Sequence, residues 1–294
     1  MGRKMHSSDG RVCRPVRSVA LWCLVALAAL ALLARAGAAR GHDALPPGVA
    51  DTSGLPALPA PPAGGEREVL PPVTRPFRPG EWLKFSVQYG VIHAGIATLE
   101  VPEVREWQGR PIYHFLARAE SNNLFSKIYR VRNRIDSYWD ADGRFSWRYS
   151  EDRHEGEHRF RDVIIFDHTR LEARYGNGQT FPIPPQVQDA LSALYFTRFQ
   201  SLPLGGSIVF DYHASQKSAP LEVRILGRDR VDTPAGRFNC IVIEPVLSAG
   251  GIFKNNGRLI IWITDDARRM PVLMKSKVMI GSISALLVDA RLGA

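Results

Sequence analysis

The chain has 294 residues, with 38 lysines and arginines against 29 aspartates and glutamates, for a formal charge of +9. Residues 1–38 hold six of the basic and one of the acidic residues, so the remainder carries 32 minus 28, or +4. That is an ordinary soluble surface and excludes a nucleic-acid footprint, and three cysteines exclude a disulfide scaffold.

At the amino terminus Arg3, Lys4, Arg11, Arg14 and Arg17 form a basic lead. Val19–Leu33 is an uncharged apolar run of 15 residues, and Ala36 and Ala38 supply an A-x-A-like cleavage site. This anatomy predicts a signal peptide over residues 1–38, cleaved near Ala38, and an exported, periplasmic protein. A retained anchor would need about 20 apolar residues. A lipid anchor is disfavoured because bulky Trp22 precedes Cys23. Cys13 and Cys23 depart with the leader, leaving Cys240 in the apolar run CIVIEPV, where it reads as a buried, inert thiol.

Residues 39–76 are rich in Pro, Ala and Gly and show no periodicity, which predicts a disordered, extended linker. Residues 77–294 then form a single β-rich domain. Runs such as EWLKFSVQY, PIYHFLARAE, RFRDVIIFD, FNCIVIEPV, RLIIWIT and SALLVDARL alternate apolar with polar residues and are separated by turn residues. Asp142-Gly143, Asn177-Gly178 and Pro234–Gly236 mark tight turns, and consecutive hairpins imply antiparallel pairing. The expected fold is mainly β: a large curved antiparallel sheet, a half-barrel or open barrel, with one or two short helices. One helix is expected after Ser121, with Leu124, Phe125, Ile128 and Tyr129 on one face. The other runs through PQVQDALSALYFTRF, where Val187, Leu191, Leu194 and Tyr195 recur at helical spacing.

His154-Glu155-Gly156-Glu157-His158 satisfies the H-E-x-x-H pattern of zinc proteases. A helix would hold the two histidines about 6 Å apart, whereas a strand spreads them over roughly 13 Å, too far for one zinc ion. Gly156, the lack of any apolar residue from Glu151 to Arg159, and strand-like flanks all point to a hairpin tip, so the match is a chance one. His168 and His213 are free to act as a third ligand, but nothing in the pattern recruits them. Asp265-Asp266 reads as a turn before a strand beginning at Pro271, and Asp211 with His213 is an uninformative pair on one strand face. IGSIS lacks the second glycine of a nucleophile elbow, and there is no Gly-rich phosphate loop or C-x-x-C. No catalytic residue, metal site or cofactor is expected.

Several segments in a fixed order carry a family resemblance. They are GEWLKFSVQYGVIHAGIATLEV (80–101), DALSALYFTR (189–198), VDTPAGRFNCIVIEP (231–245) and IWITDDARRMPVLMKSKVMIGSISALL (261–287). Together they resemble the exported bacterial family called domain of unknown function 3108, for which the resemblance implies no activity or catalytic residue. The strand, acidic turn and proline are also similar to the lipoprotein-carrier proteins of the Gram-negative periplasm, which implies a curved sheet around a greasy cavity. The leading expectation is therefore a non-catalytic periplasmic protein binding a lipid or acyl chain in the concavity, lined by Phe125, Ile128, Leu191, Leu194 and Tyr195. The alternatives are an envelope structural or protein-interaction module, and then an enzyme acting on envelope polymers. Partners would be a lipid or an envelope protein, with peripheral membrane association open. A concave side filled by side chains would count against the cavity.

Overall fold

The structure, a computed structural model, describes residues 75–247, 258–277 and 281–293. The expected leader, and the linker as far as residue 74, lie outside the described residues. The first arm of the chain comprises β1 (Glu81–Tyr89), β2 (Ile92–Trp107), β3 (Arg110–Ser121), α1 (Asn123–Ser126) and β4 (Val131–Asp140). It continues through β5 (Ser146–Glu155), β6 (His158–Asp167), β7 (Glu172–Tyr175) and β8 (Thr180–Pro182). After α2 (Ser192–Phe199), the second arm comprises β9 (Ser207–Ala214), β10 (Lys217–Thr233), β11 (Gly236–Leu247), β12 (Leu259–Thr264), β13 (Pro271–Lys277) and β14 (Ser282–Leu292).

All fourteen strands join one sheet in the order β8 to β1, then β14 back to β9, with every neighbouring pair antiparallel. The two arms meet where the first strand pairs with the last, from Glu81 opposite Leu292 to Tyr89 opposite Ile283. Alternation drives this assembly. β1 buries Glu81, Leu83, Phe85 and Val87, and β14 buries Ile283, Ala285 and Leu287, so one face of each strand turns to a common interior. Register shifts at Lys84/Phe85, Val87/Gln88, Glu100/Glu103 and Ile225/Gly227 bend and twist the strands toward closure. The curved antiparallel sheet with two short helices is the architecture expected from the sequence. One core cluster takes buried side chains from every strand except β8, which adds the half-buried Phe181.

Among the described residues no ladder joins β8 to β9, the two edges of the sheet. The connection between β8 and α2 runs along the β9 edge instead. Gln188 donates its N–H to Asp211 and accepts from the N–H of His213, both at 2.9 Å, in a parallel bridge to β9. Its neighbour Val187 accepts from the N–H of Ser146 at the start of β5 (3.1 Å). This use of Gln188 corrects the helix expected across PQVQDALSALYFTRF. The extended bridge occupies Val187 and Gln188, and the helix starts only at Ser192. The expected helix after Ser121 is likewise a single turn, capped where the Asn122 side chain accepts from the Phe125 N–H at 2.8 Å. Ile128 and Tyr129 follow it outside the helix.

Candidate functional site

Helix α2 lies on the concave side of the sheet and is the feature around which the interior is organised. Tyr195 stacks on Phe115 of β3 with ring centroids 3.8 Å apart and planes 4° from parallel. Phe77, just ahead of β1, meets Tyr113, Phe115, Tyr195 and Phe199 edge-on at 5.0–5.3 Å. Trp139 of β4 stacks on Phe199 at 5.6 Å. Edge-to-face pairs of this kind add about 0.5–1.5 kcal/mol each beyond the area they bury.

One ion pair pins the helix. Arg198 donates to both carboxylate oxygens of Glu81, at 2.7 and 2.8 Å, with the two side chains only 1% and 2% exposed. The same guanidinium donates to the carbonyls of Pro76 and Arg268 at 3.1–3.2 Å and lies over the rings of Phe77 and Tyr195. A fully desolvated pair persists only when its remaining donors and acceptors are satisfied, and here one arginine ties together β1, the segment before it, α2 and the β12–β13 turn.

The start of α2 is held by a second polar knot. Asp189 accepts from Ser137 (2.6 Å), Ser146 (2.7 Å) and the N–H groups of Leu191 and Ser192 (2.8 Å each). Burial raises the pKa of Asp189, against the lowering effect of these donors. Two serines beside a buried aspartate suggest acyl-transfer machinery, yet His168 bonds the backbone carbonyl of Ser146, not its hydroxyl (2.7 Å). The arrangement therefore lacks a base aimed at a nucleophile.

Further along the interior, β5 turns Glu151 and Arg153 inward. Arg153 Nε sits 3.0 Å from a Glu151 oxygen, at ion-pair distance but off the line of a hydrogen bond. Desolvation pushes Glu151 up to about 7 despite Arg153, and pushes Asp162 up to about 6. At the seam Tyr175 Oη and His213 Nε2 are 2.9 Å apart, and His213 Nδ1 and Ser218 Oγ 2.8 Å apart. With Ser218 Oγ donating to the Pro182 carbonyl (3.4 Å) and so accepting from Nδ1–H of a neutral His213, the bare Nε2 accepts from the Tyr175 hydroxyl, whose oxygen also accepts from the Gln216 N–H. Burial holds His213 down at about 4, consistent with that neutral form.

The five residues expected to line a cavity fall in two places. Leu191, Leu194 and Tyr195 are buried in the core, Tyr195 donating to the carbonyl of Glu100 at 3.3 Å. Phe125 is half-buried and Ile128 is 77% exposed, both near α1 at one end of the sheet. The structure does not bring the two groups together. His154 and His158 lie on the two strands of the β5–β6 hairpin, with His154 opposite Arg159 and His158 opposite Glu155, so the helical geometry of a zinc protease is absent there. Asp265 and Asp266 lie in a turn, where Asp266 accepts from Thr264 and the N–H groups of Arg268 and Arg269, and β13 begins at Pro271 as expected. The sequence reading missed Glu81, Arg198, Gln188 and Asp189. Glu81 was detectable, because it shares the inward parity of Leu83, Phe85 and Val87.

Comparison with known proteins adds the following. No curated protein matches the chain. A beta-barrel-like protein of domain of unknown function DUF1849 from Brucella abortus aligns over 72% of this chain and 97% of its own, with 9% identity and a TM-score of 0.49. A protein of Parabacteroides distasonis provisionally assigned as a lipoprotein aligns over 74% and 98%, with 10% identity and a TM-score of 0.34. The sequence itself matches the model of DUF3108, described as a protein of unknown function, over residues 84–288. Because that match takes in α2 and all of the strands but the first three residues of β1 and the last four of β14, the chain belongs to the DUF3108 family.

Proposed function

We propose that this chain is an exported, non-catalytic protein of the bacterial cell envelope that works through its outer surface as an interaction module. The observation that carries this reading is the occupation of the concave side by α2 and its aromatic shell, pinned by Arg198 and Glu81. A carrier would present an apolar space there, whereas Leu191, Leu194 and Tyr195 are committed to packing. Two of the interior polar groups are committed as well, Asp189 to serines and backbone amides and His213 to Tyr175 and Ser218. Export rests on the leader-like amino terminus, Val19–Leu33 with its basic lead and alanine-rich close.

Native mass spectrometry of the chain recovered after export tests the reading, coupled to lipid extraction of the same sample. The expected result is the bare polypeptide mass, shortened by the leader, without a stoichiometric co-purifying lipid and unchanged by added fatty acid. A stoichiometric co-purifying lipid, lost on substituting Leu194 or Tyr195, would overturn it and restore the carrier reading.

A further inference from the structure

We propose that the end of the sheet formed by the β1–β2 turn, the β3–β4 connection and the β5–β6 hairpin docks on an anionic lipid surface; this deepens the outer-surface reading above by naming the partner. Nine large apolar side chains are exposed among the described residues, and five of them, Val91, Ile92, Ile96, Leu124 and Ile128, belong to this one end. They are neighbours in space because the N–H of Asn122 bonds the carbonyl of Ala94 (2.9 Å) and its side chain bonds that of His93 (2.7 Å). The hairpin joins them where the N–H of Gly156 bonds the carbonyl of Arg130 at 2.7 Å.

The display is built. Asn122 caps α1, Ser121 and Ser126 share a hydrogen bond of 2.7 Å, and the N–H groups of Ile128 and Tyr129 bond the carbonyl of Phe125. Tyr129 is buried beside Gly156, whereas Leu124 is 66% and Ile128 77% exposed. At the tip of the β1–β2 turn Val91 is 96% exposed. Side chains spread over a turn tip, the start of β2 and a single helical turn suit a deformable surface more than the groove of a rigid partner.

The charge beside them has the matching sign. Arg130, Arg132, His154, Gly156 and Arg159 line an open basin of about 360 Å³. Arg132 reaches Glu120 only at 3.7 Å, and among the described residues Lys127, Arg130 and Arg159 have no acidic partner. Of the two acids flanking Gly156, Glu155 is buried and accepts from Asn133 (2.9 Å) while Glu157 is exposed, and His154 lies 3.3 Å from Asp152, so the unpaired cations at the basin are Arg130 and Arg159. Free guanidinium groups beside projecting aliphatic side chains match phosphate headgroups above acyl chains.

Flotation of the chain recovered after export, with vesicles of phosphatidylethanolamine and phosphatidylglycerol or of phosphatidylcholine alone, tests the proposal. Binding to the anionic vesicles is expected, with little to the neutral ones. Leu124→Ser with Ile128→Ser, and separately Arg130→Gln with Arg159→Gln, should each weaken binding at least about tenfold, since a cation near an anionic surface changes partitioning roughly fivefold. All four positions are exposed, so melting temperatures should not move. No vesicle binding, equal binding to both compositions, or variants that bind like the parent would overturn the proposal, as would binding of the basin to an acidic protein while vesicles stay empty. A bare mass in the spectrometer together with empty vesicles would sink this assignment and leave the packed interior standing. A lipid trapped inside would sink the packed interior alone.

Discussion

Replacing Glu81 by Gln should cost far more than the loss of one surface charge. Glu81 receives two bonds from a guanidinium that is itself only 1% exposed, and the other acceptors of Arg198 are backbone carbonyls. Glu81→Gln therefore leaves a buried cation without a counter-charge, a change that costs about 3–5 kcal/mol. For a domain of this size that is roughly 8–15 °C in melting temperature, or a drop of about 1.5 M in the urea midpoint. Arg198→Met strands the carboxylate instead and should cost a similar amount. The double variant removes both charges, so its loss should fall well short of the sum, with a coupling of about 2 kcal/mol or more. Urea unfolding of the four proteins, followed by tryptophan fluorescence, gives the cycle directly, since Trp139 rests on Phe199 of the helix that the pair pins. A Glu81→Gln loss below about 1 kcal/mol, or strictly additive single losses, would refute the claim that this pair pins α2.

Other consequences are separable from that one. Tyr195→Ala should destabilise by about 3–5 kcal/mol by opening a cavity against Phe115, whereas Tyr195→Phe, which gives up only the 3.3 Å bond to Glu100, should cost about 1 kcal/mol; thermal melts distinguish the two, and equal losses would mean that the ring is not packed as described. His213, held down at about 4 from an ordinary 6.5, contributes stability that is complete above pH 6.5 and lost as the pH falls through 4. Glu151 and Asp162, raised to about 7 and about 6, run the opposite way, their contribution being complete at low pH and lost as the pH rises. Relative to the parent, His213→Gln should therefore gain about 2 kcal/mol between pH 7 and pH 5, measured as urea midpoints at the two values; a difference independent of pH would show that His213 does not titrate in this range. Burial pushes the Cys240 thiol up to about 11, so a disulfide reagent at pH 8 should label it only on unfolding, and rapid labelling of the native chain would contradict its place in the core.

The fold was legible where period-two alternation is strong. β1, β12 and β14 could be read because each interleaves aliphatic residues with polar or half-exposed ones. The turn at Asn177-Gly178 was legible from its glycine, which has φ of 83°. At Asp142-Gly143 the positive φ falls on Arg144 instead, because the local Asp140 contacts to the Asp142 and Gly143 amides set the turn. The helices were over-extended for a related reason. An apolar stripe of period 3.6 records which side chains face inward, and Val187 faces inward from an extended bridge as readily as from a helix. The interior was the least legible part. Arg198 sits in an amphipathic run as an ordinary polar member, and only its partner 117 residues away makes it a pin. Phe125 and Ile128 were grouped with Leu191 because both runs show apolar residues at helical spacing, a pattern that carries no information about which end of a sheet a segment occupies.

The pairing of β1 with β14 has a kinetic side. The strand that begins the sheet has its full complement of neighbours only after the last strand has been made, some two hundred positions later in the chain. A polypeptide emerging amino-terminus first must carry Leu83, Phe85 and Val87 without their final partners through nearly its whole synthesis, and contacts of such long sequence separation form slowly. The interval before β14 arrives is thus when this protein has most to gain from a holding chaperone. Loss of the final strand would strip two neighbours at once, exposing open edges on β1 and β13 in the middle of the sheet.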